Sequence, residues 1–279
     1  MKIGIIGNGF VGNALANGFG LFCNVLVHDK DPSRAANSLS ETVNKSDILF
    51  VCVPTPMKTN EMGRVDTSII NSVLEEITLC LNGTNNPLVV IKSSVPPGSV
   101  ESFIENYPKL KIVFNPEFLT ERNANLDFLN ATRIVIGGHP DHCKILHDLY
   151  RQRFPYKRII VTDVTTAQFI KYMANCFFSV KISFMNEMLQ IAEKLGVNWE
   201  EAREGFITDG RIGNSHLDVP GHDGSRGFGG KCFPKDINAF INMAKEIGIE
   251  PLVLEAAWKK NIEVRNNKDW EQIPGATST

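Results

Sequence analysis

Lys2-Ile3-Gly4-Ile5-Ile6 followed by Gly7-Asn8-Gly9-Phe10-Val11-Gly12 is the stretch that decides the fold class, because it reads as strand, turn and helix start. Beyond Gly12, apolar Ala14, Leu15 and Phe19 continue at helical spacing. A G-x-G-x-x-G run between a strand and a helix is the dinucleotide-binding fingerprint in its proper setting. Gly7 allows the tight turn, Gly9 lets the backbone meet a pyrophosphate, and Gly12 permits close helix–strand packing. The helix end that begins at Phe10 and Val11 adds amide donors and positive potential. A second strand, Asn24 to His28, ends in Asp29, about twenty residues beyond the glycines, where a carboxylate accepts ribose hydroxyls and repels a 2′-phosphate. That pattern points to NAD. Arg34 lies nearby and would suit a 2′-phosphate, so the residues alone leave NADP open.

Outward from this unit, strand-like and helix-like stretches alternate. Asp47 to Val53 is an apolar strand stopped by Pro54-Thr55-Pro56, and loops at the C-terminal ends of parallel strands face the ligand. The polar stretch Met57 to Asp66 reads as an exposed loop. Helix Thr67–Leu81, strand Leu88–Lys92, the turn Ser93-Ser94-Val95-Pro96-Pro97-Gly98, helix Ser99–Tyr107 and strand Lys111–Phe114 follow. Asn115-Pro116-Glu117-Phe118-Leu119 then falls at a strand end. Strand Arg133–Gly137, helix Asp141–Phe154 and strand Arg158–Val161 complete the series. This alternation predicts an α/β fold, a Rossmann-type doubly wound parallel sheet over residues 1–162.

From residue 163 the pattern changes. No Gly or Pro interrupts Val164 to Leu195, and Gly196 stands where a C′ glycine belongs, so one long helix is predicted. Its apolar residues, among them Phe169, Met173, Phe177, Phe184 and Met188, cover more than one face, which predicts burial in its own domain or against a second copy. Residues 163–265 therefore read as an all-α dimerisation domain, with further helices near 198–206, 236–247 and 251–265. Residues 266–279 are polar, contain Pro274-Gly275, and read as a frayed tail.

Composition narrows the function classes. The net charge of -2 lacks the basic footprint of a nucleic-acid binder. No apolar run approaches membrane-spanning length, and the first residues show no secretory pattern, so a cytoplasmic protein is expected. The six cysteines are scattered and the six histidines show no ligand spacing, which predicts reduced thiols and no metal site.

Two further features carry chemistry. Arg226-Gly-Phe-Gly-Gly-Lys-Cys-Phe-Pro-Lys-Asp236 places Cys232 after Gly229-Gly230, between Lys231 and Lys235, with Pro234 suited to a helix's first turn. Nearby ammonium groups and a helix N-terminus both favour the thiolate, the nucleophilic form. A turn holding a buried, inert thiol is the competing reading. Lys171 and Asn175, four apart on the long helix, share one face. Spacing alone favours an exposed Lys and a backbone-bonded Asn.

With these pieces placed, the chain resembles the UDP-glucose/GDP-mannose dehydrogenase family, and its UDP-glucose branch in particular. The matching segments are Gly7-x-Gly9-Phe10-Val11-Gly12, Val53-Pro54-Thr55-Pro56, Lys92-Ser93-Ser94-Val95-Pro96, Asn115-Pro116-Glu117-Phe118-Leu119-x-Glu121, Lys171-x-x-x-Asn175, Arg211-Ile212-Gly213 and Gly227 to Asp236. The resemblance implies two successive NAD-dependent oxidations of a nucleotide sugar's C6 alcohol, UDP-glucose to UDP-glucuronate. It implies Lys171 and Asn175 as oxyanion donors, Asp236 or Glu117 as base, and Cys232 as the nucleophile that forms a thiohemiacetal and then a thioester. It also implies that Ser94 stands where the family usually has Thr near the catalytic water. Pro54, Thr55, Ser94 and Glu121 become cofactor contacts. Phe118, Leu119, Phe228, Gly229 and Arg211 become substrate contacts, Arg211 from a neighbouring subunit. Full-length members continue into another α/β domain, whereas this sequence stops about fourteen residues after Arg265, so the expectation is either a naturally short form without that domain or a piece of a longer chain. The stretch His216 to Arg226 also looks longer than the family's usual loop.

Two other functions fit parts of the pattern. A two-electron β-hydroxyacid dehydrogenase, of the 6-phosphogluconate dehydrogenase type, would use the Lys171–Asn175 pair and no cysteine. A non-catalytic NAD-binding remnant would bind the cofactor without turnover.

Overall fold

Short runs of Ile, Leu, Val and Phe form the strands, and the central runs Ile48–Val51 and Leu88–Ile91 are buried throughout, as strands are with helices on both sides of a sheet. The computed structural model describes residues 1–58, 63–83 and 85–278. In chain order the elements are β1 (Lys2–Ile6), α1 (Phe10–Gly20), β2 (Asn24–His28), α2 (Leu39–Lys45), β3 (Ile48–Val51), β4 (Met57–Lys58), α3 (Ser68–Cys80), β5 (Leu88–Ile91), α4 (Ser99–Asn106) and β6 (Lys111–Phe114). A 3-10 turn (Glu121–Asn123) leads to α5 (Ala124–Asn130), β7 (Arg133–Gly138), α6 (Pro140–Arg153), β8 (Arg158–Thr162) and α7 (Val164–Leu195). Then come α8 (Trp199–Ile207), α9 (Phe233–Glu246), α10 (Leu252–Val264), a second 3-10 turn (Asp269–Glu271) and β9 (Thr277–Ser278).

Two compact units divide the chain, Met1–Thr55 with Asp66–Lys171 and Pro56–Val65 with Tyr172–Thr279. This differs from the linear division expected at 162/163. Helix α7 begins in the first unit and continues into the second, and the segment 56–65 belongs with the helices.

The first unit is built on a seven-stranded sheet in the order β2-β1-β3-β5-β6-β7-β8. Strand alternation sends Ile48 and Phe50 to a core with Phe19, Phe128 and Tyr150, and Leu49 and Val51 to an opposite core with Ile70, Leu74 and Phe103. After β1 the chain pairs β2 on one side and β3 on the other, both parallel, which makes the end of β1 a topological switch point. The sequence predicts a parallel sheet, and the structure corrects this at one place, where β7 pairs antiparallel to β6. The β6–β7 connection holds only a 3-10 turn and α5, and it enters β7 from the end where β6 finishes, so no crossover is made.

The second unit packs α7, α9 and α10 around Cys176, Phe228, Ile237, Ile241 and Ala257. The long helix spans the breaker-free run, and Gly196 follows it at φ 68. The tail 266–279, expected to fray, is instead packed within its described residues, which end at Ser278. Trp270 and Ala276 are buried with Met57, and β9 pairs with β4. The exposed loop expected over Met57 to Asp66 is likewise corrected at both described ends. Met57 is buried, and a Cβ on Gly63 would meet the carbonyl oxygen of Asn238 at 2.7 Å. Residues 59–62 of that expectation lie outside the described residues.

Candidate active site

At the end of β1, Gly7 turns the chain at φ 92, and its amide donates to the carbonyl of His28 at 2.9 Å. A Cβ on Gly12 would lie 2.0 Å from the Gly7 carbonyl oxygen, so α1 starts against the turn only because residue 12 is glycine. Gly9 is the N-cap of α1, and a Cβ there would meet nothing within 4 Å. The turn is thus closed on the protein side and open where a pyrophosphate would approach the first-turn amides. Asp29 accepts from the Asn8 amide at 2.6 Å and the Asp31 amide at 2.9 Å, which fixes its carboxylate beside the turn. Arg34 pairs with Asp31 at 3.5 Å, and its carbonyl accepts from the Asn8 side chain. These residues fit a dinucleotide.

The next strand ends carry the other candidates of this unit. Thr55 donates through its hydroxyl to the Ser94 carbonyl at 2.9 Å, and Ser93 to the Val53 carbonyl at 2.7 Å, tying the loops after β3 and β5 together. Pro54 and Glu121 are exposed. After β6, buried Glu117 accepts from Lys171 at 3.0 Å and from the Leu119 amide at 2.6 Å. The Phe118 ring is covered by the Arg133 guanidinium 4.0 Å from its centroid. Lys171 is therefore buried and ion-paired, not the exposed lysine that spacing alone favours.

Lys92, at the end of β5, is a residue whose position sequence reasoning quoted without giving it a role. It is 5% exposed, and it donates to Asn115 Oδ1 at 3.1 Å, which also accepts from the Tyr150 hydroxyl at 2.6 Å. Burial pushes its ammonium down to about 8, against the opposing pull of Cys52 and Glu117. Burial also pushes the neighbouring Cys52 thiol up to about 12.

In the helical unit, Cys232 is half-buried and stands as the N-cap of α9, with Pro234 in the first turn. A helix N-terminus stabilises a thiolate through its unpaired amides and dipole. One turn on, Asp236 is 1% exposed. Its amide donates to the Cys232 carbonyl at 2.8 Å. One carboxylate oxygen accepts from Lys235 and the other from Asn175, each at 2.5 Å. Asn175 is thus bonded to a carboxylate rather than to backbone. Lys235, expected to offer its charge to the thiol, is committed to Asp236.

The glycine loop before the cysteine is held by side chains that sequence reasoning missed. Asn186 of α7 accepts from the Gly227 amide at 3.1 Å. Asn261 of α10 accepts from the Phe228 amide at 2.6 Å and donates to the Phe228 carbonyl at 3.0 Å. An Asn inside an apolar helical pattern was the available signal. Phe228, expected against the sugar, is 3% exposed and packs on Trp258 and Phe233, so its side chain is core. Half-buried Gly229 lies on the loop itself. Arg211 is not brought to these groups. Its side chain is 89% exposed and pairs with Asp209.

A dinucleotide-binding sheet unit followed by a helical unit with a cysteine at a helix N-terminus defines the class. Comparison with known proteins defines the family. Residues 30–154 match the NAD binding domain of the UDP-glucose/GDP-mannose dehydrogenase family, and residues 165–263 match its central domain. The UDP-glucose 6-dehydrogenase of Rickettsia bellii is 36% identical over 249 residues, 87% of this chain and 55% of that protein. A solved UDP-glucose dehydrogenase from the archaeon Pyrobaculum islandicum superposes with a TM-score of 0.83 at 30% identity, covering 94% of this chain and 68% of that one. The chain belongs to the UDP-glucose/GDP-mannose dehydrogenase family, and its sheet unit is that family's NAD-binding domain. It spans about half the length of the curated relatives it matches. A Mycobacterium tuberculosis 3-hydroxyisobutyrate dehydrogenase structure shares the fold alone, with a TM-score of 0.71 at 18% identity over 93% of this chain and 92% of that one.

Proposed function

We propose that this chain oxidises the C6 alcohol of UDP-glucose to the carboxylate of UDP-glucuronate in two successive hydride transfers. The observation that carries the reading is Cys232 at the N-terminus of α9, with buried Asp236 one turn further on. The relatives named for UDP-glucose support the substrate.

Bound NAD supplies the hydride acceptor for each oxidation. Gly7, Gly9, Phe10, Val11, Gly12 and Asp29 would hold it, with Arg34, Pro54, Thr55, Ser94 and Glu121 as further contacts. Loss of hydride from an alcohol builds negative charge on its oxygen, and the Lys171 ammonium and Asn175 amide are the donors suited to that charge. Each donor is already bonded to a carboxylate, Glu117 or Asp236. Either acid can take the alcohol's proton, directly or through a water. The Cys232 sulfur then adds to the aldehyde carbon while the thiol proton passes to the aldehyde oxygen, giving a thiohemiacetal. Loss of a second hydride and the hydroxyl proton gives a thioester. Water deprotonated by Glu117 or Asp236 attacks it, the C–S bond breaks, and the carboxylate leaves as the thiol is restored. Phe118, Leu119, Gly229 and Arg211 remain the proposed substrate contacts; for Phe228 the backbone alone is left for that role.

A homodimer through α7 belongs to the same reading. Met173, Phe177, Phe184, Ile191 and Leu195 are exposed along this helix in the single chain. Light scattering should give at least a dimer, and a monomer at working concentration would contradict it. Among the described residues, no helix is long and apolar enough to cross a membrane. None of the six cysteines is in a disulfide, which suits the cytoplasm.

Product analysis of Cys232→Ala tests the mechanism. With NAD and UDP-glucose, the variant should still oxidise the alcohol once but form no acid. Undiminished acid formation would remove the cysteine from the mechanism, and a single two-electron product from wild type and variant alike would favour the β-hydroxyacid type of chemistry.

A further inference from the structure

Arg265, the residue that caps α10, has a side chain only 1% exposed, and its guanidinium lies between two carboxylates. Nη2 meets Asp223 at 2.8 Å and Asp269 at 3.1 Å. Nε donates to the Asn267 carbonyl at 2.8 Å, and Nη1 to the Arg226 carbonyl at 3.4 Å. The other oxygen of Asp269 accepts from the Gly230 amide at 3.1 Å. A Cβ on Gly229 would lie 2.2 Å from Asp269 Oδ1 and 2.3 Å from Arg265 Nη2, so the loop is pressed directly against this ion cluster. Burial alone would raise the Asp223 carboxyl, yet the hydrogen bonds from Arg265 and the Ser225 amide, with the charge of Arg265, hold it below its ordinary value. That direction agrees with a charged, paired cluster. A buried guanidinium that lost one such partner would be strongly unfavourable, so the cluster holds its geometry as a unit.

We propose that Arg265, bridging Asp223 and Asp269, is a positioning residue for the Cys232 thiol, a clamp that fixes the loop 227–230 and the start of α9. The proposal rests on Cys232 being the nucleophile. It gives a task to two segments that the family pattern does not explain. Asp223 comes from the stretch 216–226 that looks long for this family, and Asp269 from the segment expected to fray. The segment after α10 is itself fastened by Trp270 and by the β4–β9 pairing. Its packing is thereby linked to the mount of the cysteine.

Hydrogen exchange and Cys232 alkylation by iodoacetamide, on the full chain, test the clamp without substrate. Asp269→Ala removes both the ion-pair partner and the Gly230 acceptor, whereas Asp269→Asn keeps an oxygen for the amide. The peptide covering 227–232 should exchange roughly tenfold faster in the alanine variant and about two- to threefold faster in the asparagine variant. Peptides from the sheet unit should be unchanged, and alkylation rates should shift in the same order. With UDP-glucose, kcat for acid formation should fall while KM moves by less than about twofold, the split expected when only the reacting group is misplaced. Should the alanine variant not fold, Asp223→Asn weakens the other arm of the clamp and should raise exchange at 227–232 by about threefold. Unchanged exchange and alkylation at this loop would overturn the proposal, as would an asparagine variant no better than alanine. A wild-type chain that oxidises no nucleotide sugar would sink the functional reading alone, because exchange and alkylation still decide the clamp.

Discussion

Two glycine-rich loops in this chain feed helix N-termini, residues 7–12 into α1 and residues 227–232 into α9, and they use the same device in opposite ways. At the first, Gly9 faces open space and the amides of the first helical turn are left for a ligand. At the second, the amides of Gly227, Phe228 and Gly230 are taken by Asn186, Asn261 and Asp269. In the proposed function, one loop receives an anion brought from outside, and the other is a closed mount whose helix end acts on a side chain of its own, Cys232. Glycine content does not separate the two. The fate of the backbone amides does.

The comparison can be broken most forcefully by changing what the mount carries. Cys232→Ser keeps the loop and removes the thiol, and acid formation should fall on the order of a thousandfold. Exchange at 227–232 should stay as in the wild type, and faster exchange would mean that the thiol itself helps to build the loop. Gly9→Ala strikes the receptor where the protein leaves room. NAD affinity, measured by calorimetry, should drop about tenfold or more, because the new methyl points where the pyrophosphate approaches. Folding stability should hardly move, and a large loss would show that the turn is not open. Gly229→Ala is the mirror experiment. It should cost about 1–3 kcal/mol in denaturant unfolding, since the methyl must displace Asp269 and Arg265, while NAD affinity stays unchanged.

A smaller effect concerns Lys92, which lies at a strand end of the sheet unit. Its folded-state value, pushed down to about 8 by burial, is below that of an unfolded lysine. The folded chain therefore binds fewer protons than the unfolded one between that value and the ordinary lysine range. The cost of burying the charge is full below about pH 8 and fades as pH rises through that window. Lys92→Met removes this dependence, so its stability relative to wild type should be about 1 kcal/mol more favourable at pH 7 than at pH 9. A pH-independent difference would mean that Lys92 titrates normally.

What the sequence disclosed follows the same division between local and distant causes. The strand, turn and helix start around Gly7–Gly12 depend on neighbours in sequence, and so does the breaker-free helix Val164–Leu195. Both were legible. The reversal of β7 was not, because apolar runs carry no strand direction. The partners of the cysteine loop come from residues 33 to 41 positions away, a separation that no local pattern records. Trp270 reads as part of a polar tail until Met57 and Ala276 are seen packed around it. Lys235 illustrates a subtler limit, since its spacing from Cys232 suggested activation while the structure commits its charge to Asp236.

The central claim is that a thiol mounted at α9 carries a C6 aldehyde through a second oxidation. Counting NADH formed per UDP-glucose consumed at completion, with purified chain and excess NAD, tests this most directly. The expected count is about two, one for each oxidation. A count of about one, with the aldehyde or another two-electron product as the end point, would contradict it.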